Sequence, residues 1–167
     1  DPDIHVADVE IDFGEVSLGS ESVGSVTVSN AGLDDLLFYD VNITGDAFEV
    51  LDGALGSSCV NIDYGATNSF GYSCDADQVD GNCYEGTYDD EDFDEMAMCC
   101  QCGGGSLGIL SPDQSGSISI KFTPLDEIDY ISTLTIMTND PDEPSISVEL
   151  SGSGIEYHSN VLILGNV

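Results

Sequence analysis

Six cysteines, Cys59, Cys74, Cys83, Cys99, Cys100 and Cys102, fall in one stretch of the 167-residue chain, and none lies outside it. An even, clustered set of this kind reads as a disulfide framework made in an oxidising compartment. The spacings fit no zinc pattern and both histidines lie far away, which makes metal thiolates the weaker reading. Neighbouring cysteines do not readily pair with each other, so Cys99 and Cys100 are expected to reach different partners. Spacing leaves the connectivity open.

Oxygen chemistry is the second candidate. In Asp75-Ala76-Asp77-Gln78-Val79-Asp80-Gly81-Asn82, alternate carboxylates precede an Asp-Gly turn, the logic of a calcium loop. Asp75, Asp77 and Asp80, with Glu85 nearby, are the expected ligands if calcium binds. The loop is one residue too long for an EF-hand start, and an acidic turn between Cys74 and Cys83 explains the same residues. The run from Asp89 to Cys100 is expected to form the one helix of the region. Phe93, Met96, Ala97 and Cys100 would share a face, with acids at the positive end of the dipole and a stop near Gly103.

Catalysis finds little to work with. His5 and His158 sit near the two ends of the sequence, outside any Ser/His/Asp or Cys/His motif. Lys121 is the sole basic side chain, leaving little to hold a phosphate or an oxyanion by charge. The chain has no Trp and few aromatic platforms for sugar hydrolysis. No enzyme is expected. Asn42-Ile43-Thr44 matches a glycosylation sequon, a short pattern that arises often by chance.

The 33 acids give a formal net charge of −32, which excludes nucleic acid and anionic membrane as partners, because both demand a cationic face. The acidity fits either a protein adapted to high salt, where screening removes the self-repulsion, or carboxylates that gather divalent cations. Leu, Ile, Val and Phe exceed the roughly 20% below which so charged a chain stays disordered, so it folds. No apolar run approaches the ~18 residues of a membrane span. Asp1 is what a chain could show after removal of a signal peptide.

The elements that must carry these residues are strands. Ile4 and Val6, Ile11 and Phe13, and Ser25-Val26-Thr27-Val28-Ser29 alternate in the manner of half-buried strands. Leu36 to Ile43 and Ala47 to Leu51 add two runs around a Thr44-Gly45-Asp46 turn. The pattern resumes after the cysteines with Ser117 to Phe122, Leu134-Thr135-Ile136, and Ile146, Val148 and Leu150 before Ser151-Gly152-Ser153-Gly154. Short strands at this spacing argue for a sandwich.

The order of turns and strands resembles a known family. Asp12-Phe13-Gly14-Glu15-Val16 with Gly19, Val26-Thr27-Val28-Ser29-Asn30 with Gly32, and Gly45-Asp46-Ala47-Phe48 resemble the first half of a choice-of-anchor D repeat. Leu110-Ser111-Pro112, Ile120 to Pro124, Leu134-Thr135-Ile136 with Asn139-Asp140-Pro141, and Val148 to Gly154 resemble the second half. Such repeats belong to the ASH (Hydin-type) immunoglobulin-like class. The resemblance implies an all-β, immunoglobulin-like sandwich of about seven to nine strands. It also implies a non-enzymatic module of secreted or surface-anchored proteins, and fold alone gives no more.

The expected organisation is a sandwich made from 1–52 and 107–154, an inserted cysteine-rich subdomain at 53–106, and a tail or further strand at 155–167. Val161, Leu162, Ile163 and Leu164 are apolar without alternation, like a strand buried on both faces. They are the expected assembly residues, adding to a neighbour's open edge. The sequence thus points to an extracellular or cell-surface structural subunit that forms a homo-oligomer or filament by strand exchange or edge pairing. The alternative is a calcium-dependent, adhesin-like module that recognises a glycan or another surface ligand.

Overall fold

The computed structural model describes residues 1–51, 55, 59–75, 83 and 89–157. Among these residues nine strands follow in order: β1 Ile4–Val6, β2 Glu10–Ser17, β3 Ser22–Asn30, β4 Leu36–Ile43, β5 Phe48–Val50, β6 Gly108–Leu110, β7 Ser115–Phe122, β8 Asp129–Thr138 and β9 Ser145–Ile155. They form an all-β sandwich of two sheets, ordered β1-β3-β7-β5 and β2-β9-β8-β4-β6. Every pairing is antiparallel except β2 with β9.

Period-2 alternation decides which side of each strand is dry. Val26 and Val28 on β3 and Ile118, Ile120 and Phe122 on β7 are buried, and they meet Phe38, Leu134, Ile136, Val148 and Leu150 from the other sheet. Phe122 lies at the centre of an aromatic cluster, stacked on Phe48 at 4.7 Å and edge-on to Tyr130 at 5.5 Å, with Phe13 5.7 Å away.

The last strand runs further than its alternation suggests. Instead of ending before Ser151-Gly152-Ser153-Gly154, β9 continues through Ile155, pairing with β8 as far as Ser153 and with β2 as far as Ile155. Gly152 makes this possible, because a Cβ there would lie 2.6 Å from the Phe122 ring. The expected tail therefore begins one residue later, beyond Ile155.

Polar side chains tie the turns to the sheets. Asn30 is buried; its Nδ2 donates to the carbonyls of Asp34 and Leu110, both at 2.8 Å, and its Oδ1 accepts from Gly32 N. The Oδ1 of Asn139 accepts from Leu37 N at 2.8 Å. Asp140 is buried, and its carboxylate accepts from the backbone N–H groups of Ile4, Asp142 and Glu143.

Candidate functional site

The candidate site is the cystine-bonded region between β5 and β6. Three disulfides join Cys59 to Cys100, Cys74 to Cys99 and Cys83 to Cys102. Cys99 and Cys100 therefore reach different partners. Closing loops of 41, 25 and 19 residues removes unfolded-state entropy of roughly 3 to 4 kcal/mol each. The cystines build a small second core, in which Cys74, Cys99 and Cys102 pack with Phe93 and with the half-buried Ala66 and Met98.

The glycines after the cysteines are explained by this geometry. Cys100–Cys102 forms a single 3-10 turn, which Gly103 closes at φ 87°. A Cβ on Gly105 would come within 2.6 Å of the Cys100 sulfur, and that residue also has φ 79°. Ser106 then returns the chain to the sandwich: its hydroxyl accepts from Phe38 N and donates to Gly108 O.

The helix is shorter than the sequence suggests. It spans only Glu95–Met98 (α1), capped by Asp94, whose carboxylate accepts from Ala97 N at 3.0 Å. Residues 89–94 form loop instead of helix. Of the expected face, Phe93 is buried but Met96 is 40% exposed, while Glu95 and Cys99, off that face, are buried. The Cys74–Cys99 bond turns that side inward and overrides the apolar spacing.

Glu95 is one acid of the Asp89–Cys100 run in the sequence, and nothing there marks it as buried. It is 3% exposed; its Oε1 accepts from Asn68 Nδ2 at 3.2 Å, and its Oε2 has no hydrogen-bond partner among the described residues. The backbone N–H of Glu95 donates to Asp89 Oδ1 at 3.0 Å. A buried carboxylate with one unpaired oxygen carries a desolvation cost. No basic side chain is at hand, since Lys121 stands on β7 paired with Glu49 at 2.8 Å. That contact, first through its hydrogen bond and then through charge, raises the lysine pKa.

Of the expected calcium ligands, Asp75 is described, and its Oδ1 accepts from Asn61 Nδ2 at 2.7 Å. Asn61 Oδ1 in turn accepts from Cys100 N at 2.9 Å, so Asp75 supports the cystine turn. Asp77, Asp80 and Glu85 lie outside the described residues, as do Val161, Leu162, Ile163 and Leu164. Among the described residues, no three His, Cys, Asp or Glu groups converge as metal ligands. Asn42 is exposed on β4, with its Nδ2 donating to Asp40 Oδ2 at 2.7 Å. His5 is exposed on β1, and His158 lies outside the described residues.

Tyr64 has its hydroxyl pKa raised by partial burial, then by the neighbouring Asp35 carboxylate and by Tyr39 of β4.

No protein family matches the chain by sequence, and no curated protein does. Solved structures share the fold, two among them with a TM-score above 0.5. A protein of unknown function from Porphyromonas gingivalis W83 superposes with a TM-score of 0.52 at 11% identity, over 91% of this chain and 46% of its own. The chain thus spans under half of that protein's length. The ASH/PapD-like domain 7 of human CEP192 superposes with a TM-score of 0.51 at 16% identity, over 93% of this chain and 87% of its own. At these identities the likeness shows an immunoglobulin-like sandwich and nothing about activity.

Proposed function

We propose that the chain is an extracellular or cell-surface structural module of the choice-of-anchor D/ASH kind, non-catalytic, which joins copies of itself by strand exchange or edge pairing. One observation carries this reading. Among the described residues, β2 is an eight-residue edge strand that pairs on one side only, with β9. Val9 O accepts from Glu149 N, so the N–H and C=O of the next residue, Glu10, point away from β9. An edge of this length is a template for another strand. The three cystines add the durability that an oxidising exterior allows.

The same edge also carries its own brake. Glu10, Asp12 and Glu15 stand on it, and the ladder shifts register between Asp12 and Glu15 around Gly14 at φ 66°. Charge and bulge both oppose casual pairing. Copies with a net charge of −32 should therefore join only when salt or divalent cations screen them. A Glu10→Pro variant tests the reading, because proline is tolerated at the first residue of an edge strand yet denies the outward donor. The folded variant should stay monomeric under conditions that assemble the parent; unchanged assembly would rule out the β2 edge.

The calcium-dependent, adhesin-like reading rests on Glu95, whose buried Oε2 has no hydrogen-bond partner among the described residues, in a region rich in acids. It predicts a monomer whose stability rises with calcium. Glu95→Gln should remove that rise, and a calcium response that survives the substitution would count against this site.

A further inference from the structure

The three cystines differ in how far solvent reaches them. Cys74 and Cys99 are fully buried, and Cys102 is 9% exposed with a half-buried partner in Cys83; both bonds lie in the second core around Phe93. Cys59, by contrast, is exposed, and its partner Cys100 is half-buried. A disulfide opens when a thiolate reaches one of its sulfurs, so access decides which bond reacts. Cys59 is the cysteine that a thiolate from solution meets.

This bond also stands at the neck between the second core and the sandwich. Val60, next to Cys59, exchanges both backbone hydrogen bonds with Ser106, at 2.7 and 2.8 Å, and the Ser106 hydroxyl fastens to the backbone of Phe38 on β4. Gly105 lets both sulfurs of the bond lie against the backbone, since a Cβ there would sit 2.6 Å from the Cys100 sulfur and 2.8 Å from that of Cys59. The other two cystines knit the second core itself. Breaking Cys59–Cys100 therefore leaves that core closed and takes the covalent clasp from its neck.

We propose that Cys59 Sγ is a thiol–disulfide exchange site for small external thiols, and that exchange there unclasps the neck while the second core stays closed. The incoming thiolate bonds to Cys59 Sγ as the Cys59–Cys100 bond breaks, and the bonding pair leaves on Cys100 as its thiolate. A second external thiolate then attacks the external sulfur of the mixed disulfide and releases the Cys59 thiolate. The cystine is reduced to a dithiol and the external thiols are oxidised to their disulfide. A net charge of −32 selects among such thiols. The glutathione thiolate carries further carboxylate charge and is repelled, whereas an amine-bearing thiol such as cysteamine is not. This goes beyond the assembly reading and does not depend on it.

Timed exposure of the native, unreduced chain to glutathione or cysteamine at about 0.05 and 1 M sodium chloride, followed by alkylation and mass mapping of every cysteine, tests the site. The adduct should sit on Cys59 and the alkyl group on Cys100, both appearing at least about tenfold faster than any modification of Cys74, Cys83, Cys99 or Cys102. Compared per thiolate, glutathione should react several-fold faster at the higher salt, and cysteamine at nearly the same rate at both. Once the bond is open, hydrogen exchange at the amides of Val60 and Ser106 should quicken at least about tenfold, while β3 and β7 keep their protection. A Cys59→Ser, Cys100→Ser double variant should show the same exchange pattern with no thiol added. Modification of all the cysteines together, or of a buried one first, would overturn the proposal. So would a glutathione rate that salt leaves unchanged, or Val60 and Ser106 amides that stay protected after the bond is opened.

Discussion

The carboxylate of Asp140 accepts the backbone N–H of Ile4 at 2.9 Å across 136 positions of sequence, fastening the first strand to the β8–β9 turn. Burial alone would push this carboxyl up, but the donors of Ile4, Asp142 and Glu143 together outweigh it and hold the pKa below the ordinary carboxylate value.

Asp140→Ala should destabilise the sandwich by about 2 to 4 kcal/mol, because it leaves three donors to find water or go unpaired. Because the folded-state pKa is depressed, the stabilisation is fully present above the unfolded carboxylate range near ~3.9 and is lost as pH falls through the folded value. Urea titrations at several pH values would show it: the parent should weaken on acidification more than the alanine variant. Parallel acid curves would refute the assignment.

Gly152→Ala should cost about 1 to 3 kcal/mol, since its methyl would press on the Phe122 ring inside a packed core. Thermal unfolding is the check. Gly65→Ala, where a Cβ meets nothing within 4 Å but φ is 85°, should cost only the local backbone strain, about 1 kcal/mol.

Replacing Cys74 and Cys99 together by alanine should lower stability by about 3 kcal/mol and expose Phe93, while the sheets persist. Limited proteolysis would then cut between β5 and β6 before it cuts the sandwich. Simultaneous loss of both would show that the two cores fold as one unit.

Added sodium chloride should raise the melting temperature, because salt screens repulsion among 33 acids opposed by a single lysine. A melting temperature independent of salt from about 0.05 to 1 M would mean that the carboxylates are too dispersed to matter.

The sandwich was legible because its strands bury one face each, so Val26, Val28, Ile118, Ile120 and Phe122 announce themselves by alternation. The end of β9 was not, since glycine at 152 reads as a turn until the Phe122 ring opposite it is known. The helix was misjudged for a related reason. Which side of α1 faces inward is set by a cystine whose pairing the sequence leaves open. The roles of Asp140 and Asn30 were not legible, because the groups they fasten, Ile4 and Leu110, are distant in sequence. Glu95 was hidden among acids of the same composition, and only burial separates it from them.

Electron microscopy of the unreduced chain in negative stain, at low and at molar salt, with and without calcium chelator, tests the structural reading most directly. Filaments or defined oligomers that form at high salt, persist with chelator and disappear in Glu10→Pro are the predicted result. Dispersed single particles under every condition would contradict an assembling module.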